Sequence, residues 1–259
     1  MPTQKGIPRE YQDTLLHQRK YLLDSPISGV YTTEPQYSNM VREAIFLGYE
    51  VVAYDGRGRN RENESVGNIG KILESNDAAK MIIHCGWSHI YEHIDTASNR
   101  TWLGKKIQDS LGLNPLTVNQ VILTERPSSM ENPLYSTINF SEPTVFVDAE
   151  NQFYNGFSDM KFFDILLYQP RTRYIHNRPH WLVDQKGHQL IEVSTDIIKE
   201  YPCLIKAYKI DDGTDAVPVD VIEKRTKFDP SYLILPTGQF RVEISNKNGL
   251  AESKMQIVE

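Results

Sequence analysis

The stretch KMIIHCGWSHIYEHID, from Lys80 to Asp95, passes from a short apolar run into a histidine-rich segment. The apolar run stops at His84, and two more histidines follow at positions 89 and 93, although the whole chain has seven. A short apolar run that ends at a glycine is typical of a buried strand. The stretch therefore predicts a strand over 79–86 whose carboxyl end presents histidines.

Strand-like and helix-like patterns alternate around this stretch. The strand-like runs are GVYTT (29–33), YEVVAYD (49–55), AKMIIHCG (79–86) and PLTVNQVILTE (115–125), and helical spacing of apolar residues lies between them. Strands that alternate with helices favour parallel βαβ units. We expect an α/β domain over 28–130, a parallel sheet with flanking helices, after a polar lead-in over 1–27 with one helix around Glu10 to Leu23.

The chain changes character after about Pro127. Residues 131–196 read as a β-rich extension of strands and turns. From Tyr201 onward, alternating strands surround Asp-Gly, Thr-Gly and Asn-Gly turns. This pattern predicts a small C-terminal β-sandwich of the immunoglobulin or fibronectin type over 197–259.

Composition narrows the classes of function. The 259 residues carry a net charge of −6, which argues against a nucleic-acid partner. No run reaches the roughly 18 apolar residues of a membrane span, and the first residues are too polar for a signal peptide. Two cysteines do not make a disulfide framework. Composition does not address the oligomeric state.

Residues with reactive side chains collect at the predicted strand ends, where open parallel sheets bind ligands. Asp55 ends one strand, Arg61 and Glu62 open the next helix, and His84 and His89 end and follow the next strand. A histidine after a glycine turn can serve as a general base or a metal ligand. The alternatives are a loop histidine bonded to a carbonyl for His89 and a satisfied core histidine for His84.

Several of these residues have ordinary structural explanations. An acid in the first helical turn suits Glu62, but a cation there suits Arg61 poorly, so Arg61 needs a carboxylate or substrate partner. Glu34 precedes Pro35 and can cap a helix. Cys85 beside His84 suggests a Cys/His nucleophile, although a small apolar residue at a strand end is the favoured interpretation.

Two further histidine patterns also have simpler explanations. His89 and His93 have the i, i+4 spacing of a helical metal pair, without a strong zinc motif, so a metal is left open. The segment RTRYIHNRPHW (171–181) has the arginines and histidines of an anion site, but a solvated strand edge is the favoured interpretation.

Two motifs together resemble the erythromycin esterase/ChaN-like superfamily, to which the TraB/TIKI proteins are similar. They are the Arg-Glu-x5-Asn-Ile pattern in NRENESVGNI and the Gly-x-x-His that ends KMIIHCGWSH. The resemblance covers roughly 28–125 and implies an α/β fold with two related halves. It further implies ester hydrolysis with a histidine base, metal-dependent peptide cleavage or haem binding. By resemblance, His89 matches the histidine of the second half, and Arg61 and Glu62 match its Arg-Glu helix start.

The Gly-Glu-x-His motif of the first half of that superfamily has no counterpart in this chain. The sequence therefore resembles the second half alone, which implies a truncated or degenerate member. Without a signal peptide, the localisation stays open between a cytoplasmic protein and a chain that starts downstream of its natural start, whose full-length form with an appended β-sandwich would be exported.

These observations predict a hydrolase-like protein that acts on an ester or amide bond of a small molecule or peptide. His89 would activate water, a carboxylate (Glu62, otherwise Asp55 or Glu34) would orient the imidazole, and Arg61 would stabilise the oxyanion. No Gly-x-Ser-x-Gly elbow supplies a nucleophile. No cofactor is required, and metal or haem is left open. The alternative is a non-catalytic protein that binds haem, metal or a protein partner, or an inactive truncated member.

Overall fold

The computed structural model describes residues 9–25, 31–56, 58–76, 78–95, 97–155, 162–196, 198 and 200–259. The chain forms two compact units, a terminal unit of Met1–Ala53 with Thr172–Glu259 and a central unit of Tyr54–Arg171. These units group the chain differently from the four predicted segments, whose boundaries stay a prediction.

Helices and strands are both present, in keeping with the predicted mixed class. In chain order they are α1 (Arg9–Arg19), α2 (Pro35–Phe46), α3 (Arg61–Ser75), α4 (Leu103–Leu111), β1 (Val118–Leu123), β2 (Thr144–Val145), β3 (Ile165–Tyr168), β4 (Tyr174–Ile175), β5 (Arg178–Pro179), α5 (His180–Val183), β6 (His188–Glu192), β7 (Cys203–Lys209), β8 (Asp220–Lys224), β9 (Tyr232–Pro236), β10 (Gly238–Asn246) and β11 (Gly249–Val258). In the described part of the chain, no helix is both long enough and apolar enough to cross a membrane.

The helices form where the sequence carries start and stop residues. Helix α2 has Pro35 at its start and Glu34 as its cap, and α4 ends at Gly112 in the left-handed region with φ +66°. Helix α1 ends at Arg19 rather than near Leu23, and the next residue, Lys20, has φ +64°. The capping residues therefore set the boundaries better than the apolar spacing does.

The sheet of the central unit is smaller than expected. Its strand order is β1-β3-β2, with β3 parallel to β1 and antiparallel to β2. The segments 49–55 and 79–86, expected as strands, form no ladder within the described residues. Of GVYTT, Tyr31–Thr33 form a 3₁₀ turn instead of a strand, and Gly29 and Val30 lie outside the described residues.

Packing against helices explains why the run after Lys80 reads like a strand. Met81, Ile83 and Cys85 pack against the core of α3 and α4, while Ile82 and His84 between them are exposed. An extended segment on a helix pair shows the same period-2 burial as a paired strand. The alternating burial of a strand was therefore predicted correctly, and the sheet pairing wrongly.

The terminal unit holds three antiparallel sheets within the described residues. The short hairpin of β4 and β5 is one, and the two larger sheets have the order β11-β10-β7-β8 and the pair β6-β9. Residues from both larger sheets share one apolar core, which includes Ile205, Leu233, Leu235, Val242 and Ile244. Because strand β6 contributes to this core, the β-rich part of the terminal unit begins before residue 197. An immunoglobulin or fibronectin type of sandwich stays a prediction.

A buried arginine ties α2 to the loops of the terminal unit. Arg42 is 8% exposed and donates to the Ser38 hydroxyl, to Asp212 Oδ2 at 2.8 Å and to the Val217 carbonyl at 2.6 Å. Burial raises the pKa of Asp212, opposed by the charge of Arg42. A buried ion pair of this kind is costly to break, because one partner is left charged and unpaired.

Candidate functional site

Two of the predicted site residues meet in the central unit. Glu62 is the second residue of α3, and His89 lies in the 3₁₀ turn Trp87–Ile90. His89 Nδ1 is 2.9 Å from Glu62 Oε1, and the two side chains are 16% and 20% exposed. The structure therefore brings together the histidine and the carboxylate that the sequence analysis assigned as base and orienting group.

Two glycines allow the close packing around this histidine. A Cβ atom at position 86 would lie 3.3 Å from His89 Cδ2, and one at Gly104 would lie 2.6 Å from the carbonyl oxygen of Ile90. Gly104 thus lets the start of α4 approach the turn. Trp102 contacts the His89 ring edge-on, with centroids 5.2 Å apart. Glu62 and Trp102 together fix the position of the imidazole.

The hydrogen-bonding atoms of His89 and Glu62 that lie outside their mutual contact determine what the pair can do chemically. Glu62 Oε2 is buried and has no hydrogen-bond partner among the described residues. Within that same part of the chain, the polar contact of His89 is made through Nδ1. A carboxylate beside Nδ1 favours a proton on that nitrogen, which leaves the lone pair on Nε2 to accept a proton.

Arg61 has the anionic partner that its place at a helix start requires. Its Nε and Nη2 each donate to Asp55, to Oδ1 and Oδ2, at 2.7 Å. Burial alone would raise the pKa of Asp55, but the hydrogen bonds and charge of Arg61 hold it below its usual value. The Ser65 hydroxyl also lies 3.4 Å from Asp55 Oδ1. Asp55 therefore holds Arg61, and the carboxylate in contact with His89 is that of Glu62.

Glu34 and His84 have other surroundings. Glu34 lies in the terminal unit, where its Oε2 accepts from the Tyr37 backbone N–H at 2.7 Å, which is the capping role. His84 is exposed, so its expected core environment is wrong. The hydroxyl of Tyr54 donates to the His84 carbonyl at 3.0 Å. A functional role for His84, expected from its place at a predicted strand end, stays a prediction.

Cys85 is unsuited to act as a nucleophile at neutral pH. Burial, assisted by the nearby Glu62 carboxylate, raises the pKa of its thiol to about 11. The reactive thiolate is then scarce. This favours the packing interpretation of Cys85 over the Cys/His nucleophile.

We expect Cys85 to react slowly with iodoacetamide at about pH 8. Relative to a free cysteine with a pKa of about 8.5, the smaller thiolate fraction lowers the rate about 100-fold or more. The rate is measured in a Cys203→Ala background, because Cys203 is the second free thiol. The same protein in urea is the control and should react at the free-cysteine rate. Equal rates in the folded and unfolded protein would contradict this account.

A pair of carboxylates, Glu92 and Asp164, meets at Thr117 without a signal in the sequence. The Thr117 hydroxyl donates to Glu92 Oε1 at 2.5 Å, and the Thr117 backbone N–H donates to Asp164 Oδ2 at 2.9 Å. Burial raises the pKa of Glu92, opposed by the Thr117 hydrogen bond and assisted by the charge of Asp164. Glu92 lies within the quoted stretch, but its partners are distant in sequence and no local motif marks them.

Replacing Glu92 with glutamine is expected to raise the melting temperature at about pH 7 by about 1–2 °C. A carboxyl group whose pKa is raised in the folded protein makes its full contribution to stability at pH values below its unfolded-state pKa of about 4.3. That contribution is lost as the pH rises through the folded-state pKa. The gain should therefore shrink at about pH 4. Thermal unfolding at both pH values tests this, with the exposed Glu74→Gln as control. A loss of stability at pH 7 would refute it.

Neither a metal-binding cluster in the described part of the chain nor a similar known protein identifies the chain. Among the described histidines, cysteines, aspartates and glutamates, no group of three or more could hold a metal ion. The resemblance to the erythromycin esterase/ChaN-like superfamily stays a prediction. Comparison of the chain with family models, curated proteins and solved structures found no match.

Proposed function

We propose that the central unit promotes attack of water on an ester or amide bond of a small molecule or peptide. The observation that carries this proposal is the 2.9 Å contact between His89 Nδ1 and Glu62 Oε1. A histidine whose second nitrogen faces a carboxylate is the arrangement that general-base catalysis uses.

In this proposal, His89 Nε2 takes a proton from a water molecule as the water oxygen attacks the carbonyl carbon. Glu62 stabilises the imidazolium that forms and keeps the imidazole in the required tautomer. The imidazolium then returns the proton to the leaving alcohol or amine as the carbon–oxygen or carbon–nitrogen bond breaks. The partial burial of both side chains strengthens their interaction relative to water.

In this proposal, Arg61 stabilises the negative charge that develops on the carbonyl oxygen of the substrate. Asp55 engages two of its nitrogens and fixes the guanidinium plane, and the side chain is 48% exposed. The N–H groups of Arg61 that Asp55 does not engage can donate to an oxyanion or to a substrate carboxylate.

Water is the proposed nucleophile because the nearby thiol is protonated. Cys85 has a pKa of about 11, and Ser65 is buried, with its hydroxyl donating to the Arg61 carbonyl at 2.8 Å. Neither group is activated for attack. The reaction therefore proceeds without an acyl-enzyme intermediate in this proposal.

A hydrolysis screen tests the proposed function. Chromogenic esters of increasing acyl length and fluorogenic peptide amides are incubated with the wild-type chain, with Glu62→Gln and with His180→Ala. His180 is the matched control, because its Nδ1 also lies 2.9 Å from a carboxylate, that of Asp184, and both side chains are more exposed than those of His89 and Glu62. We expect Glu62→Gln to lose at least about tenfold in kcat/KM, with His180→Ala unchanged. Equal turnover in all three proteins, or none on any ester or amide, would contradict the proposal.

A further inference from the structure

A short hairpin borders a cavity in the terminal unit. Strands β4 and β5 are joined by His176 and Asn177, whose φ angles of +48° and +62° are those of a tight two-residue turn. The cavity has a volume of about 430 Å³, and its lining includes His176, Arg178, Glu223, Arg225 and Asp229. The volume lies in the range of small-molecule sites.

Arg178 brings an unsatisfied donor to the cavity wall. Its Nη2 donates to Asp220 Oδ1 at 2.5 Å, whereas its Nε is buried and lacks a hydrogen-bond partner in the described part of the chain. Asp220 cannot supply the missing acceptor easily, because its carboxylate also accepts from the backbone N–H groups of Val221 and Ile234. Because Nε is buried, a ligand in the cavity would reach Arg178 through Nη1, which no hydrogen bond within the described residues engages.

Arg225 provides a second guanidinium with donors to spare. Its Nε donates to Glu223 Oε2 at 2.8 Å, and its side chain is 78% exposed. No contact within the described residues engages its Nη1 and Nη2 groups. The outer edge of this guanidinium can therefore bind an oxyanion with two parallel hydrogen bonds.

The acidic side chains of the lining are already engaged. Asp229 accepts from the backbone N–H groups of Arg225 and Thr226 and from the Thr226 hydroxyl. These hydrogen bonds lower the pKa of Asp229, and Glu223 is paired with Arg225. Their interactions with these donors offset much of the repulsion that free carboxylates would exert on an anion.

The histidine of the hairpin turn gives the cavity a flat wall. The His176 ring stacks on Tyr232, with centroids 4.2 Å apart and planes at 21°. This stacking fixes the imidazole in the cavity lining that it shares with the two arginines. We infer that the cavity binds the oxyanion group, phosphate or carboxylate, of a small molecule through Arg178 and Arg225. The segment RTRYIHNRPHW then has a binding role beyond that of a solvated strand edge.

Titration calorimetry of the full chain tests the site, with inorganic phosphate in one arm and acetate and citrate in two others. We expect saturable one-to-one binding in the phosphate arm or in a carboxylate arm, and the arm that binds identifies the group. Arg225→Gln should weaken that binding about tenfold or more, because a bidentate charged contact is lost.

The matched control is Arg241→Gln. Arg241 makes the same Nε contact, at 2.8 Å to Glu243, but does not line the cavity. Arg178 is left intact because its loss would strand the buried Asp220. Saturable binding that falls in Arg225→Gln and persists in Arg241→Gln supports the site. The absence of saturable binding in every arm, or equal affinity of Arg225→Gln and the wild type, overturns it.

Discussion

Replacing His89 with alanine is expected to lower kcat/KM for ester or amide hydrolysis by about 10²–10⁴-fold, the range that a positioned general base contributes. The physical reason is that Nε2 carries the proton out of the attacking water, while Nδ1 keeps its contact with Glu62 at 2.9 Å. Alanine removes the base and leaves Glu62 without its partner. The rate is measured under kcat/KM conditions on the best substrate of the screen.

Stability separates this role from a packing role. His89 also contacts the Trp102 ring, so its removal could loosen the turn. A catalytic role predicts a loss of turnover far larger than any loss of folded protein at the assay temperature, and His180→Ala with both unchanged. A fall of several degrees in the melting temperature, with turnover falling only in proportion to the folded fraction, would assign His89 to packing.

Replacing Arg42 with alanine is expected to lower the free energy of unfolding by about 3–5 kcal/mol, the usual cost of breaking a buried ion pair. Asp212 would stay beneath the surface without its cation, and the Val217 carbonyl would lose a donor at 2.6 Å. The lost methylene packing of the long side chain adds to the effect. This is the largest stability effect we expect from one substitution in the terminal unit.

Urea unfolding, followed by circular dichroism and by the fluorescence of the tryptophans, measures this effect. Lys105→Ala is the control, because Lys105 and Asp109 form an exposed i, i+4 pair expected to contribute about 0.5 kcal/mol or less. Arg42→Met combined with Asp212→Asn should recover part of the loss, since no unpaired charge remains. An Arg42→Ala curve that superimposes on the wild-type curve would show that the network does not stabilise the fold.

The helices were predictable because their capping residues act locally. Pro35 and Glu34 start α2, and Gly112 ends α4, each through contacts within one or two turns. Sheet pairing was less predictable because it depends on partners far along the chain. β1 pairs with β3, which lies in the predicted β-rich extension, whereas the run from Met81 to Cys85 packs against helices.

The candidate site shows the same division. Glu62 and His89 could be identified because a helix start and a glycine turn mark their positions in the sequence. The place of Arg61 at a helix start predicted an anionic partner, but not that Asp55 is this partner. The link of Glu92 to Asp164 through Thr117 could not be identified, because it depends on how β1 and β3 align.

The most direct test of the account is the tautomer of His89, measured by long-range ¹H–¹⁵N correlation of the imidazole nitrogens. In the neutral imidazole we expect a protonated Nδ1 and a free Nε2, with that preference weakened in Glu62→Gln. A proton on Nε2 in the wild type, or an unchanged spectrum in Glu62→Gln, would contradict the claim that Glu62 sets up His89 as a base.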